Sequence, residues 1–208
     1  MTDSPAWTAS RMLGAIHLDT SSSRPVPSPR SLAALLAVTQ ALSQATDERA
    51  VVEAALSTAL PALGAFAGAV LRLGDGGQAL EVLHLVGYDD ERARAWRRFP
   101  ITMSIPATDA VRGLAPVFVT AQDLPRYPAL YAVKAERTRS VAALPLLVSG
   151  EAFGALTLSC AAERTWDAAE RDFAVALAGL LAQALERARL LGAERRARER
   201  ATFLARAG

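Results

Sequence analysis

Nucleophilic, redox and metal chemistry draw on few side-chain types, and this chain is short of them. Its 208 residues include one cysteine, Cys160, and two histidines, His17 and His84. One cysteine forms no intramolecular disulfide framework, and the set is too small for a Cys-rich or multi-His metal site. Cys160 ends the strand-like Leu158-Ser159-Cys160. A thiol there becomes a nucleophile only beside a base or a positive field. The sequence shows neither, so a small buried residue is expected. His84 is the only histidine in the apolar body of the chain. Facing a cavity, it would coordinate a haem or touch a small ligand; otherwise it is a hydrogen-bonded or surface strand histidine.

Other motifs reduce to structure. Gly74-x-Gly76-x-x-Ala79 matches a loose dinucleotide fingerprint, but that chemistry needs a helix N-terminus after the loop. The residues that follow, Leu80-Glu81-Val82-Leu83-His84-Leu85-Val86, alternate like a strand, so a hairpin turn is expected. There is no P-loop and no Gly-x-Ser-x-Gly elbow. Asp75, Asp89 and Asp90 fall in turns, with nothing to push a carboxylate pair's pKa values apart. Net charge is +2 and the pI is near 9.1, too slight a bias for a nucleic-acid protein. Lys134 is the only lysine beside 22 arginines, which with the abundant alanine reads as GC-rich coding bias. The arginine run Arg187, Arg189, Arg195, Arg196, Arg198 and Arg200 is interleaved with Glu186, Glu194 and Glu199, the pattern of a solvated or inter-helix face.

The elements that would position these residues follow from periodicity. Residues 1–30 are Ser/Pro-rich in part and read as a loosely packed leader. Leu32, Leu35, Leu36, Thr39 and Leu42 sit at helical spacing. Thr46 or Asp47 caps a second helix with Val51, Val52, Ala55, Leu56, Ala59 and Leu60 on its buried face. Residues 65–73 and 80–88 make a hairpin, with Leu80, Val82, His84 and Val86 expected on one face. Residues 89–99 read as a short solvated helix. Prolines break residues 100–137 into short pieces: a helix capped by Thr108 and ended by Gly113, a strand over 116–120, and a short helix over 127–136. Residues 140–148 and 152–160 form a second hairpin through Ser149-Gly150-Glu151. Asp167 and Glu170 form a capping pair for a long helix running past Gly192 to about Ala207. The plan is α+β with a mainly antiparallel sheet.

No apolar run approaches the roughly 18 residues needed to span a bilayer, and residues 12–16 are too short for a signal peptide. A cytoplasmic protein is expected, with no membrane insertion and no nucleic-acid partner. Phe173, Leu177, Leu180, Ala184, Ala188 and Leu191 form a seam flanked by charge. Propensity alone does not hold such a long helix. A parallel homodimer through the helices at residues 32–42 and 173–191 is therefore expected.

Residues 139–158, Arg-Ser-Val-Ala-Ala-Leu-Pro-Leu-Leu-Val-Ser-Gly-Glu-Ala-Phe-Gly-Ala-Leu-Thr-Leu, resemble the most recognisable stretch of GAF domains. There a strand ending in Pro-Leu is followed by a turn and a Gly-x-Leu strand. Gly113-Leu114-Ala115-Pro116-Val117-Phe118-Val119 is similar to the family's Gly-x-Pro-Val strand. Trp166-Asp167-Ala168-Ala169-Glu170 resembles its final helix start, and residues 184–190 its exit helix. The resemblance covers residues 31–192. It implies a GAF fold: a six-stranded antiparallel sheet with helices on both sides and a long C-terminal signalling helix. Residues 193–208 would be an exit helix continuing into an absent output domain.

In that family a ligand pocket lies under the irregular segment, here residues 101–140. The resemblance implies Met103, Ile105, Val117, Val119 and Ser140 as lining, and His84 joins them as a ligand candidate. No cysteine lies in 101–140, so a covalent bilin is not expected, and the identity of any other cofactor is left open. One cysteine also falls short of the several used by members that reduce free methionine sulfoxide, and the cyclic-nucleotide signature is absent. The implied function is a non-catalytic, phytochrome-like sensory or regulatory module of bacterial signal transduction. A small molecule or dimerisation would control an output domain such as a histidine kinase. The alternatives are a ligand-free dimerisation platform and, behind it, a small redox enzyme.

Overall fold

The computed structural model describes residues 29–74, 76–89, 97–132 and 136–207. The leader expected over residues 1–30, apart from its last two residues, and most of the helix expected over 89–99 lie outside the described residues.

Six antiparallel strands form one sheet: β1 Ala67–Leu73, β2 Ala79–Val86, β3 Arg98–Pro100, β4 Val117–Val119, β5 Ser140–Val148 and β6 Glu151–Cys160. Their spatial order is β3-β2-β1-β6-β5-β4. Helices α1 Pro29–Gln44, α2 Glu48–Ala62 and α4 Ala168–Ala207 cover one face. Helix α3, Pro106–Gly113, lies over the other. The sheet therefore has helices on both sides, as the resemblance implied.

Strand alternation explains the two layers. On β6, Leu156, Leu158 and Cys160 join the cluster under the helices, while Ala155 packs under α3. On β1, Val70 faces the helices, and Ala69 and Leu71 face α3. The β5–β6 turn has Ser149 at φ +53° and Gly150 at φ +85°, the two positive values that a primed hairpin turn requires. Gly154 is needed for a different reason: a Cβ there would lie 2.1 Å from the Leu71 carbonyl oxygen. The family-like Gly-x-Leu is thus a point where β6 and β1 touch backbone to backbone.

Several expectations are corrected. The stretch expected as a helix over 89–99 ends in strand β3, and Phe99 is buried under α3. Helix α3 begins three residues earlier than expected, with Ile105 in the N-cap position. Thr108 is not its N-cap but sits in its first turn, its hydroxyl accepting from the Ile105 N–H at 3.4 Å and facing the Met103 and Ile105 carbonyls. Residues expected as a helix over 127–136 form a 3-10 turn, Pro128–Ala132, preceded by another at Leu124–Arg126, because prolines deny the longer hydrogen-bond ladder. Residues 133–135 lie outside the described residues. On α1 the buried stripe is Leu35, Val38 and Leu42, with Leu36 and Thr39 exposed.

Helix α4 has 40 residues without a break. Asp167 and Glu170 cap it reciprocally: the Glu170 N–H donates to Asp167 at 2.8 Å, and the Asp167 N–H to Glu170 at 3.2 Å. Trp166, just before, is buried at φ +53° and donates its indole N–H to the Val119 carbonyl at 3.3 Å. This ties the helix start to edge strand β4. Phe173, Leu177, Ala184 and Ala188 of the expected seam are buried within the domain's own core. Leu180 is half-buried and Leu191 exposed, so most of the seam is not free for a partner.

Gly154→Ala should lower unfolding free energy by about 3 kcal/mol, since only backbone shifts make room. Gly150→Ala, with open space around it, should cost only about 1 kcal/mol for its left-handed backbone. Asp167→Ala should cost about 1 kcal/mol through the lost cap. Urea unfolding of the three variants checks all of these.

Candidate functional site

Between the sheet and α3 lies a partly open cavity of about 80 Å³. Its floor comes from β1 (Ala69, Leu71), β2 (Val82, Leu85) and β6 (Thr157, Ser159). Its roof is the start of α3 with Phe99 and Leu130. The small side chains Ala69 and Ala107 leave the space open. No charged side chain lines it among the described residues.

Three hydroxyls give this apolar space its polarity. The Tyr88 hydroxyl and Ser159 Oγ are hydrogen-bonded at 2.9 Å, and Thr157 Oγ1 donates to the Ala69 carbonyl at 3.5 Å. Burial pushes the Tyr88 phenol above its ordinary pKa, partly offset by the bond to Ser159. The phenol therefore stays protonated, able to donate to an acceptor or accept from a donor. The lining offers hydrogen bonds to an uncharged molecule and, among the described residues, no charged side chain to pair with an ion.

Of the six residues singled out from sequence, only Ile105 lines this cavity. Met103 packs at the edge of the cluster around Phe99. Val117 and Val119 lie beside the cavity, packed with Leu124 and Val141. Ser140 points the other way: alternation puts Val141 in the cavity wall, and the buried Ser140 donates to the Ala162 carbonyl at 2.9 Å. His84 is displaced by a bulge. Val70 pairs with His84 but Leu71 pairs with Val82, leaving Leu83 without a partner. Beyond this extra residue the faces swap. Leu80, Val82 and Leu85 face α3, while Leu83 and Val86 pack on the helix side and His84 lines a groove there with Leu83.

Sequence reasoning missed Tyr88, Ser159 and Thr157. The alternation Leu156-Thr157-Leu158-Ser159 carried a signal, because it places two hydroxyls on the face opposite two leucines. Tyr88 carried none, since its position depends on the turn at Gly87, where φ is +81° and a Cβ would meet the Phe66 carbonyl at 2.2 Å.

Cys160 is on the helix side, fully buried, with Sγ 3.9 Å from the Leu63 carbonyl. Burial pushes its thiol pKa up, against the opposing pull of Arg164 and Ser140. No group of three or more metal-ligating side chains is assembled among the described residues. No helix there is long and apolar enough to cross a membrane.

Comparison with known proteins gives a consistent result. A family model described as "GAF domain" matches residues 45–186. The GAF domain of a phosphoenolpyruvate-protein phosphotransferase from Coxiella burnetii superposes with a TM-score of 0.69 at 21% identity, covering 79% of this chain and 97% of that one. Free methionine-R-sulfoxide reductase from Neisseria meningitidis superposes with a TM-score of 0.63 at 18% identity, covering 77% and 90%. A GAF domain attributed to a sensor histidine kinase of Pseudomonas syringae pv. tomato gives a TM-score of 0.55 at 24% identity, covering 79% and 92%. No curated protein matches the chain. With the family model spanning well over half of its length, this chain belongs to the GAF domain family.

Proposed function

We propose that the chain is a non-catalytic sensory module of bacterial signal transduction. A small uncharged ligand in the cavity biases α4, and through it an output domain such as a histidine kinase. One observation carries the reading: a single strand, β5, both lines the cavity and seats α4. Val141 lines the cavity, while Ala142, Leu144 and Leu146 pack in the core that α4 covers. A ligand that fits better when β5 sits in one position shifts the helix with it, by as much as its affinities for the two states differ. The sensor-kinase attribution of one similar structure supports the same reading.

A second reading, a ligand-free dimerisation platform, is favoured by the cavity's size. About 80 Å³ is far below the ~300–1,000 Å³ of drug-sized sites. Since most of the seam on α4 is spent internally, such a dimer would use what stays exposed: Leu32 and Leu36 on α1, and Leu190, Leu191, Phe203 and Leu204 on α4. Redox catalysis has the least support. Cys160 is the only cysteine, faces away from the cavity and is held as a thiol.

A thermal-shift screen of small alcohols, phenols and indoles against their carboxylate analogues separates the first two readings. The sensor predicts a saturable shift for neutral compounds only, about 2.7 kcal/mol at 100 times Kd. Tyr88→Phe should cost the empty protein about 1 kcal/mol and weaken hydroxyl-bearing ligands preferentially. No shift from any neutral compound, with a dimer in light scattering, would favour the platform. Cys160 should not react with a thiol reagent at pH 8 until the protein unfolds; rapid native labelling would reopen redox chemistry.

A further inference from the structure

On the face of the sheet away from the cavity, a groove of about 560 Å³ opens where the start of α2 meets β1, β2 and α4. Five guanidinium groups line it, from Arg49, Arg72, Arg189, Arg195 and Arg196, against two carboxylates, Asp47 and Glu48. Both carboxylates are occupied. Asp47 accepts the Ala50 N–H at 2.9 Å, and Glu48 lies 3.5 Å from Arg72. Arg49 and Arg189 pair with Glu53 and Glu186, each at 2.7 Å. Arg195 and Arg196 have no ion pair or hydrogen bond among the described residues.

Gly192 lies on the groove wall beside Arg196, where a Cβ would meet Nη1 at an ordinary contact distance of 3.4 Å. Ala188 is the last buried residue of α4, and residues 193–206 are exposed. Arg195 and Arg196 thus stand on the first part of the helix that the domain does not hold, while Arg49 and Arg72 stand on the domain itself.

We propose that this groove binds a small polyphosphate anion, a diphosphate or a nucleoside polyphosphate. Such an anion bridges Arg195 and Arg196 to Arg72 and clamps the exit helix against the domain. Guanidinium forks match phosphate oxygens bidentately, and each binds more strongly to a multiply charged anion than to a single carboxylate. The volume lies within the usual range for small-molecule sites. A nucleic acid fits less well. It needs a basic track, but Asp47 and Glu48 close one side of the groove, and along α4 Arg198 is paired with Glu194 at 2.6 Å. The cavity under α3 plays no part in this binding.

Isothermal titration of the full chain with inorganic pyrophosphate tests the proposal, with single-stranded DNA as a competing probe. Saturable binding is expected, at least tenfold weaker in the double variant Arg195→Ala, Arg196→Ala. It should be unchanged in the double variant Arg200→Ala, Arg206→Ala, which removes equal charge from the same helix outside the groove. Both double variants alter exposed residues, and their unliganded melting curves should match the wild type. Absence of saturable binding would overturn the proposal. So would equal weakening by the Arg200→Ala, Arg206→Ala variant, which means diffuse charge attraction, or DNA binding through Arg195 and Arg196 more tightly than pyrophosphate.

Discussion

In a folded protein most of a helix's stability comes from packing its apolar face rather than from propensity. What holds α4 is the burial of residues 173–188 against the helix-side face of the sheet. The other features depend on that contact. Leu144 and Leu146 of β5 supply the surface, α1 and α2 flank it, and Trp166 fixes where the helix begins by reaching the Val119 carbonyl. The capping pair Asp167 and Glu170 then sets the direction of the chain. A helix so seated for its first five turns and unsupported afterwards is an asymmetric device. One half belongs to the domain, and the other follows whatever the first half does.

The sheet has to serve two layers at once, and strand alternation makes that possible. Ala142, Leu144 and Leu146 of β5 bear on the core beneath α4, and Val141 bears on the cavity. A displacement of β5 is felt on both faces, because close-packed interiors transmit strain. Its neighbour β6 is held in turn at Gly154, where it touches β1. This is the physical content of a sensory reading. The cavity and the helix are separated by a single strand.

Much of this was legible in the sequence. The two hairpins, the long helix with its Asp167 and Glu170 cap, and the GAF-like stretch at residues 139–158 all rest on local patterns that tertiary structure did not override. The site was far less legible. His84 was assigned a face by simple alternation, but the bulge at Leu83 reverses that face, and a bulge leaves no mark in the order of apolar residues. Ser140 and Val141 are neighbours on one strand, and only its phase relative to the helices decides which one lines the cavity. Tyr88 is placed by a glycine turn and Phe99 by a three-residue strand, both too short to show a period. Of the region that the resemblance implied, residues 101–140, the start of α3 and Leu130 roof this cavity. The polar floor came from β1, β2 and β6, outside that region.

Hydrogen exchange on the full chain tests the coupling across β5, whose Val141 pairs with Ser159, most directly. The comparison is between the wild type and Ser159→Leu, which fills the cavity and removes the partner of Tyr88. If cavity and helix are joined through one strand, protection should change along residues 173–188 of α4 as well as in α3 and β6. A change confined to α3 and the strands, with α4 exchanging as in the wild type, would contradict the account.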